Sequence, residues 1–267
     1  MEYIKYLNSY EEVAELVSKV QERRIFNCNI MEHYRGQGRP EYKLIPNISR
    51  KLTSGKAVQS SEEDLMNCLK TSLKENNCEN ILRIDNDLNE KQNLWNILIQ
   101  SQHIGIPTRF LDWSLKWEVG LWFAVEKPEN DNVDGQFWIF TAPNEIHPTD
   151  TRDNFYNKDL YNLDKTYLIN APIYWSSELN NQIGEIKRQR QFGKFSVSSF
   201  EKSIIPLENQ PEINTYLEKY CIPANAKGQM RLKLASLGLH KEWLYYRDAN
   251  TEILDKINKI IAEKTSP

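Results

Sequence analysis

Cysteine is scarce in this chain. Cys28, Cys68, Cys78 and Cys221 are the four in 267 residues, with no CxxC pair and no metal-type spacing. Such scattered thiols are expected to be reduced, as in a cytoplasmic protein. Histidine is as thin: His33, His103, His147 and His240 form neither an HxxxH nor an HxH pair, so no metal site is predicted. No window approaches about 18 uninterrupted apolar residues, which excludes a membrane-spanning helix. The opening MEYIKYLNSYEEV carries acids and no apolar core, so a signal peptide is not expected. Positive charge is not in excess either, with 34 Lys and Arg against 37 Asp and Glu and a net charge of −3. That argues against a general nucleic-acid surface, while leaving room for a local basic groove. Also missing are GxSxG, a Walker A loop and a GxGxxG opening a helix, so hydrolase triads and P-loop phosphoryl transfer have no motif support.

What remains is an ordinary globular composition, 40% apolar and 27% charged, sufficient for one core. Ser9 and Glu12 have capping-box spacing before Val13, Leu16, Val17 and Val20, which predicts a helix to about Arg24. Ile25–Met31 reads as a strand delivering His33 to Gly38 into a turn. A second capping box, Ser60 to Glu63, opens a helix with Leu65, Met66, Leu69 and Leu73 inward. Glu75–Asn89 reads as a loop, and Leu94–Gln102 as a helix stopped by Gly105-Ile106-Pro107. Ser114 is placed to N-cap a helix with Val119, Trp122 and Phe123 on its apolar stripe. Gly135–Thr141 is the clearest strand, Thr166–Trp175 and Gly193–Phe200 are two more, and Ile146–Leu163 reads as a surface excursion. Gln229–Leu237 is helical and stopped by Gly238, and Asp248–Ala262 forms a last helix. Without regular βαβ alternation the class is α+β: one domain over 1–267, with a motif core at about 34–200 and a helical part at about 226–263.

Seven Trp and 13 Tyr are many, and Trp95, Trp113, Trp117 and Trp122 cluster in sequence, which suits core packing better than ligand stacking. Polar groups concentrate in three places. In Tyr34-Arg35-Gly36-Gln37, an Arg beside a Gly can offer its fork to phosphate or carboxylate where backbone comes close. From Gln102 to Ser114, the residues Thr108, Arg109, Asp112 and Trp113 crowd between apolar elements at a desolvation cost that calls for partners. There Asp112 is either a turn or helix cap or a ligand group, and Arg109 pairs with it or with a phosphate. Arg188 to Phe195 puts two Arg and two Gln before a strand, facing a pocket or guarding a sheet edge. His33 and His103 stand beside the first two groups.

Together these blocks resemble the FRG domain family. Tyr34-Arg35-Gly36-Gln37 matches its naming motif with Tyr for Phe, and Leu44-Ile45-Pro46 and Arg50 match its next element. The hallmark is the run from Gln102-His103-Ile104-Gly105-Ile106-Pro107-Thr108-Arg109 to Phe110-Leu111-Asp112-Trp113-Ser114, then Gly120-Leu121-Trp122-Phe123-Ala124, with Gly where Ala is common. Gln191-Phe192-Gly193-Lys194-Phe195, Leu234–Leu239 and Tyr246-Arg247-Asp248 complete the pattern. The block order is also similar, more distantly, to ADP-ribosyltransferases of the Arg-Ser-Glu type. That resemblance implies an ADP-ribosyltransferase-like fold with a mostly antiparallel sheet, split or continuous, flanked by helices. It implies NAD as substrate, with Arg35 on the pyrophosphate, Thr108 and Asp112 shaping the pocket, and Gln191 in the place of the acid. Asp112 or Glu185 would then supply the missing charge.

The implied protein is a toxin or phage-defence effector, modifying a protein or nucleic acid and held by an antitoxin or other partner. On this reading Asp112 and Gln191 are the catalytic candidates. Tyr34, Arg35, Gly36, Gln37, His103, Thr108, Arg109 and Trp113 are the ligand-binding ones. Two alternatives stand beside it: a non-catalytic binding or interaction module in which the Arg and Asp cluster is structural, and a nuclease-like site built from His33, His103 and Asp112.

Overall fold

The computed structural model describes residues 5–24, 31–75, 89–103, 105–142, 146, 156–170, 191–245, 255 and 259. The predicted loop at 76–88, the residues Ile25 to Ile30, Arg188 to Arg190 and Glu185 lie outside the described residues, as does the last helix except for Asp255 and Lys259.

The elements run β1 (Lys5–Tyr6), α1 (Tyr10–Arg24), β2 (Met31–Gln37), α2 (Gly55–Glu75), α3 (Glu90–His103), β3 (Phe110–Ser114), α4 (Trp117–Val125) and β4 (Gly135–Ala142). After β4 come β5 (Tyr167–Asn170), β6 (Gly193–Val197), α5 (Phe200–Ser203), α6 (Pro211–Asn214), β7 (Leu217–Ile222), α7 (Lys227–Ser236) and α8 (Lys241–Leu244). The starts of α1 and α2 have local causes. Ser9 Oγ accepts from Glu12 N at 3.2 Å while the Glu12 carboxylate accepts from Asn8 N at 2.7 Å, tying off donors that α1 leaves open. The second capping-box reading fails: α2 starts five residues before Ser60, where Ser54 Oγ accepts from Ala57 N. α7 ends as expected, with Gly238 at φ 84° and Leu239 N donating to Leu234 O at 3.0 Å, a Schellman closure.

Seven strands form one open sheet in the order β1-β7-β4-β2-β3-β6-β5. All pairings are antiparallel except β1 with β7. The fold is thus α+β, a mostly antiparallel sheet flanked by helices. β2 is not a strand ending in a turn: the whole Tyr34-Arg35-Gly36-Gln37 motif is inside it, paired with β4 from Met31↔Ala142 to Gln37↔Gln136. β3 pairs with β6 over five residues. Between β2 and β3 the ladder is registered only at Tyr34↔Ser114, so the centre of the sheet is a seam.

Side-chain alternation assigns the core. On one face, Tyr34, Phe137, Ile139, Tyr220 and Ile222 pack under α1, α4 and α7. On the same face beyond the seam, Phe110, Phe195, Val197, Tyr167 and Ile169 pack under α2 and α3. Leu111, Trp113, Trp138, Phe140 and Leu168 take the opposite face with Leu44, Leu207 and Ile213. Trp95, Trp113 and Trp122 are buried in three different clusters, and Trp117 packs at a tilt against Tyr10 at 5.0 Å; all four pack against apolar neighbours, and Trp113 also lines a cleft. The supposed excursion at 146–163 is also core in part, since Ile146, Tyr156, Leu160 and Leu163 are buried. Its polar composition hid apolar residues spaced too irregularly to show a period.

Candidate functional site

The seam opens into a cleft of about 420 Å³ walled by β2, β3, the end of α4 and the start of β6. Its size is that of a small-molecule site. Arg35, Arg50, Gln102, Asp112, Glu126, Lys127, Gln191 and Tyr245 all reach it.

Arg35 crosses the seam. Its Nη1 donates to the Asp112 carbonyl and lies 3.9 Å from the Asp112 carboxylate. Its side chain is 17% exposed, and among the described residues its buried Nε has no hydrogen-bond partner. Burial lowers the guanidinium pKa from the usual arginine value, with Asp112 opposing and Arg50 adding to the effect. A desolvated cation with an open donor is costly unless something anionic completes it.

Asp112 is not a cap. It lies within β3 with its side chain 55% exposed in the cleft, and alternation puts it on the helical face in the gap between the two apolar clusters. Its Oδ2 accepts from Gln102 Nε2 at 2.9 Å. Gln102 Oε1 in turn accepts from Thr108 Oγ1 at 2.6 Å, and Thr108 Oγ1 accepts from Phe110 N at 3.2 Å. Thr108 is therefore buried behind the cleft and acts by aiming Gln102. Ser114 is not the helix cap either; β3 runs through it. Its hydroxyl donates to Gln191 O at 2.7 Å and accepts from Lys116 N at 3.0 Å, closing the turn into α4.

Gln191 reaches the cleft, but its side-chain Nε2 donates to Leu244 O at 3.1 Å. The next residue, Phe192, has φ 50°, the left-handed region that a bulky side chain avoids. Leu115 N donating to Phe192 O at 3.1 Å and the Lys116 ammonium 4.0 Å over its ring hold it there. This strained corner fixes Gln191 against the seam.

Of the other sequence candidates, Tyr34, Gly36, Gln37 and Trp113 also line the cleft while making contacts within the fold, and Arg109 stands apart from it. Arg109 and Glu62 are each 1% exposed and paired at 3.0 Å. The guanidinium also donates to Ser198 O at 2.9 Å and Leu160 O at 3.1 Å, and lies 3.6 Å over the Phe200 ring. It pairs with neither Asp112 nor the cleft. Tyr34 is 1% exposed, stacked on Phe137, with its hydroxyl accepting from Gln21 Nε2. Gln37 is consumed between Trp138 Nε1 and Lys43 O, and Trp113 Nε1 donates to Ser196 Oγ at 3.0 Å. Gly36 lines the cleft and also lets a helix pack close: a Cβ there would lie 2.0 Å from Gly120 O and 2.4 Å from Ala124 N, so α4 rests directly on β2. His33 bonds Met31 O and packs on Phe140, away from the cleft, which breaks the His33, His103, Asp112 trio. The side chain of His103 lies outside the described residues.

Sequence reasoning did not assign Arg50, Gln102, Glu126, Lys127 or Tyr245 to the site. Arg50 and Gln102 stand at matched motif positions and were findable. Glu126, Lys127 and Tyr245 follow helix ends with no motif at all. Among the described residues no cluster could hold a metal ion, and no helix is long and apolar enough to cross a membrane.

The profile of the FRG domain matches residues 31–133, from β2 to the turn before β4. That span contains both walls of the seam, Arg35 and Asp112, and ends before Gln191 and Tyr245. No curated protein and no solved structure matches the chain.

Proposed function

We propose that this FRG-domain protein binds a nucleotide anion in the seam cleft and uses NAD as an ADP-ribosyl donor. The observation that carries the reading is Arg35: a desolvated arginine with an open Nε, facing a cleft shared with Arg50, Lys127 and an exposed carboxylate. The donor set fits the group. A pyrophosphate supplies the acceptors that the Arg35 fork lacks, with Arg50 as a second cation. Asp112, held by Gln102 and Arg35, is the carboxylate that faces the ribose.

In the transfer, the C1′–N bond breaks with both electrons leaving on the nicotinamide nitrogen, neutralising its charge. Positive charge develops on the ribose, where the fixed carboxylate of Asp112 stabilises it. An acceptor lone pair then bonds C1′ and the acceptor loses a proton. Gln191, tied to Leu244, positions the wall and carries no charge in the step. In this reading the protein is an effector of toxin or phage-defence type, with a protein or nucleic acid as acceptor.

Thermal unfolding with NAD, ADP-ribose and inorganic pyrophosphate, together with a nicotinamide-release assay, tests the reading. NAD raises Tm by mass action, and Asp112→Asn lowers nicotinamide release by about 100-fold with binding retained. Stabilisation without release makes the chain a non-catalytic binding module, and neither stabilisation nor release overturns the reading.

A further inference from the structure

Glu126 is placed where a carboxylate has little reason to be. It is the C-cap residue of α4, at the negative end of the helix dipole. It is half-buried on the cleft wall, and among the described residues no cation lies within ion-pair distance of it. Lys127 and Lys241 act only at longer range, and Asp112 faces Tyr245 from across the cleft. Its clearest anchor is the Tyr245 hydroxyl, which donates to Oε2 at 2.7 Å. Tyr245 in turn makes a perpendicular ring contact with Phe123, 6.2 Å between centroids. The carboxylate is therefore held by a hydroxyl and balanced by no paired cation among the described residues, on the wall of the cleft.

We infer that Glu126 is a second functional carboxylate of the cleft, the group that takes the acceptor's proton, and that Tyr245 is its positioning residue. The assignment rests on the transferase reading above. As the acceptor's lone pair bonds C1′, its proton passes to the Glu126 carboxylate, which later releases it to solvent. Asp112 stabilises charge and Glu126 moves the proton, so the two acids divide the work across the cleft. Desolvation, the larger influence, raises the Glu126 pKa above the usual glutamate value, and the Tyr245 hydrogen bond partly lowers it. A base raised toward working pH is the more effective one.

The test compares the wild type with Glu126→Gln, Glu126→Asp and Tyr245→Phe. NAD is the donor and a small guanidino or hydroxyl compound the acceptor. Nicotinamide release without acceptor and transfer with acceptor are followed against pH. In the wild type, transfer rises with pH through the Glu126 pKa. Glu126→Gln loses that limb and about 100-fold or more of transfer, and acceptor-free release, which needs no acceptor proton removed, falls far less than transfer does. Tyr245→Phe moves the limb to higher pH, and Glu126→Asp restores part of the rate.

Carbon-13 NMR of the unliganded protein, assigned with Glu126→Gln, should show a carboxyl titrating above the ordinary glutamate range. An unchanged limb in Glu126→Gln with release intact overturns this inference alone, as does an ordinary carboxyl titration. Absence of nicotinamide release in the wild type overturns the transferase reading and this role together.

Discussion

Arg109 and Arg35 are two arginines beside carboxylates in one molecule, and their surroundings differ in every respect that matters. Arg109 and Glu62 sit 3.0 Å apart, sealed, with the remaining guanidinium donors on backbone carbonyls and a ring beneath. Arg35 and Asp112 sit 3.9 Å apart at an open seam, with Nε of Arg35 unmet among the described residues. A buried pair with every guanidinium nitrogen hydrogen-bonded is a fixture of the fold. A half-met pair in a cleft keeps capacity for something that arrives from outside. Both arginines belong to sequence blocks of the same resemblance, so motif membership alone does not separate architecture from site.

The strongest way to break that contrast is Arg109→Ala. It leaves the Glu62 carboxylate buried and alone, and should cost about 3–5 kcal/mol in urea unfolding. The double change Arg109→Met with Glu62→Leu should recover most of the loss, because it removes both charges. Next comes Gly36→Ala, whose Cβ meets the Gly120 carbonyl at 2.0 Å. It should cost on the order of 3 kcal/mol, the upper end for overpacking, and loosen α4 from β2.

Arg35→Ala should change stability by less than about 1 kcal/mol, yet weaken NAD binding by about 10- to 150-fold, the worth of one charged hydrogen bond, read by calorimetry. An equal stability cost for Arg35 and Arg109 would abolish the distinction.

The smallest effect is the pH response of Glu126. Its folded pKa lies above its unfolded value, so the folded state holds the extra proton between the two. Stability therefore falls as pH rises through that window and stays lower above it. Glu126→Gln should flatten that fall in urea midpoints taken across mildly acidic to neutral pH.

Much of the frame was readable in advance. The caps of α1 and α7, the strand at β4 and the α+β class follow from period and turn chemistry, which are local. The failures have a shared cause. β2 and β3 were missed as strands over Tyr34 to Gln37 and Phe110 to Ser114 because their polar residues line a seam instead of alternating cleanly, and a pattern built on burial does not see a cleft. For the same reason the sequence leaves Asp112 open between a cap and a ligand group. Arg109 could not be told from Arg35, since the partner that seals it, Glu62, lies 47 positions away on a helix that the sequence started too late. Glu126 and Tyr245 are brought together across 119 positions of sequence, and no local signal announces such a pair.

The single registered pair at Tyr34 and Ser114 also bears on how the molecule breathes. Four strands with α1, α4 and α7 form one block and three strands with α2 and α3 another, each with its own apolar cluster on the helical face. A third cluster on the opposite face, with Trp113 against Phe140, bridges the two. Blocks joined by so short a ladder are expected to exchange their amides in two populations, each opening at its own rate. An occupant gripped by Arg35 on one block and Asp112 on the other would act as a rivet, merging the two populations into one. The molecule would then report its own occupancy as a loss of independent motion.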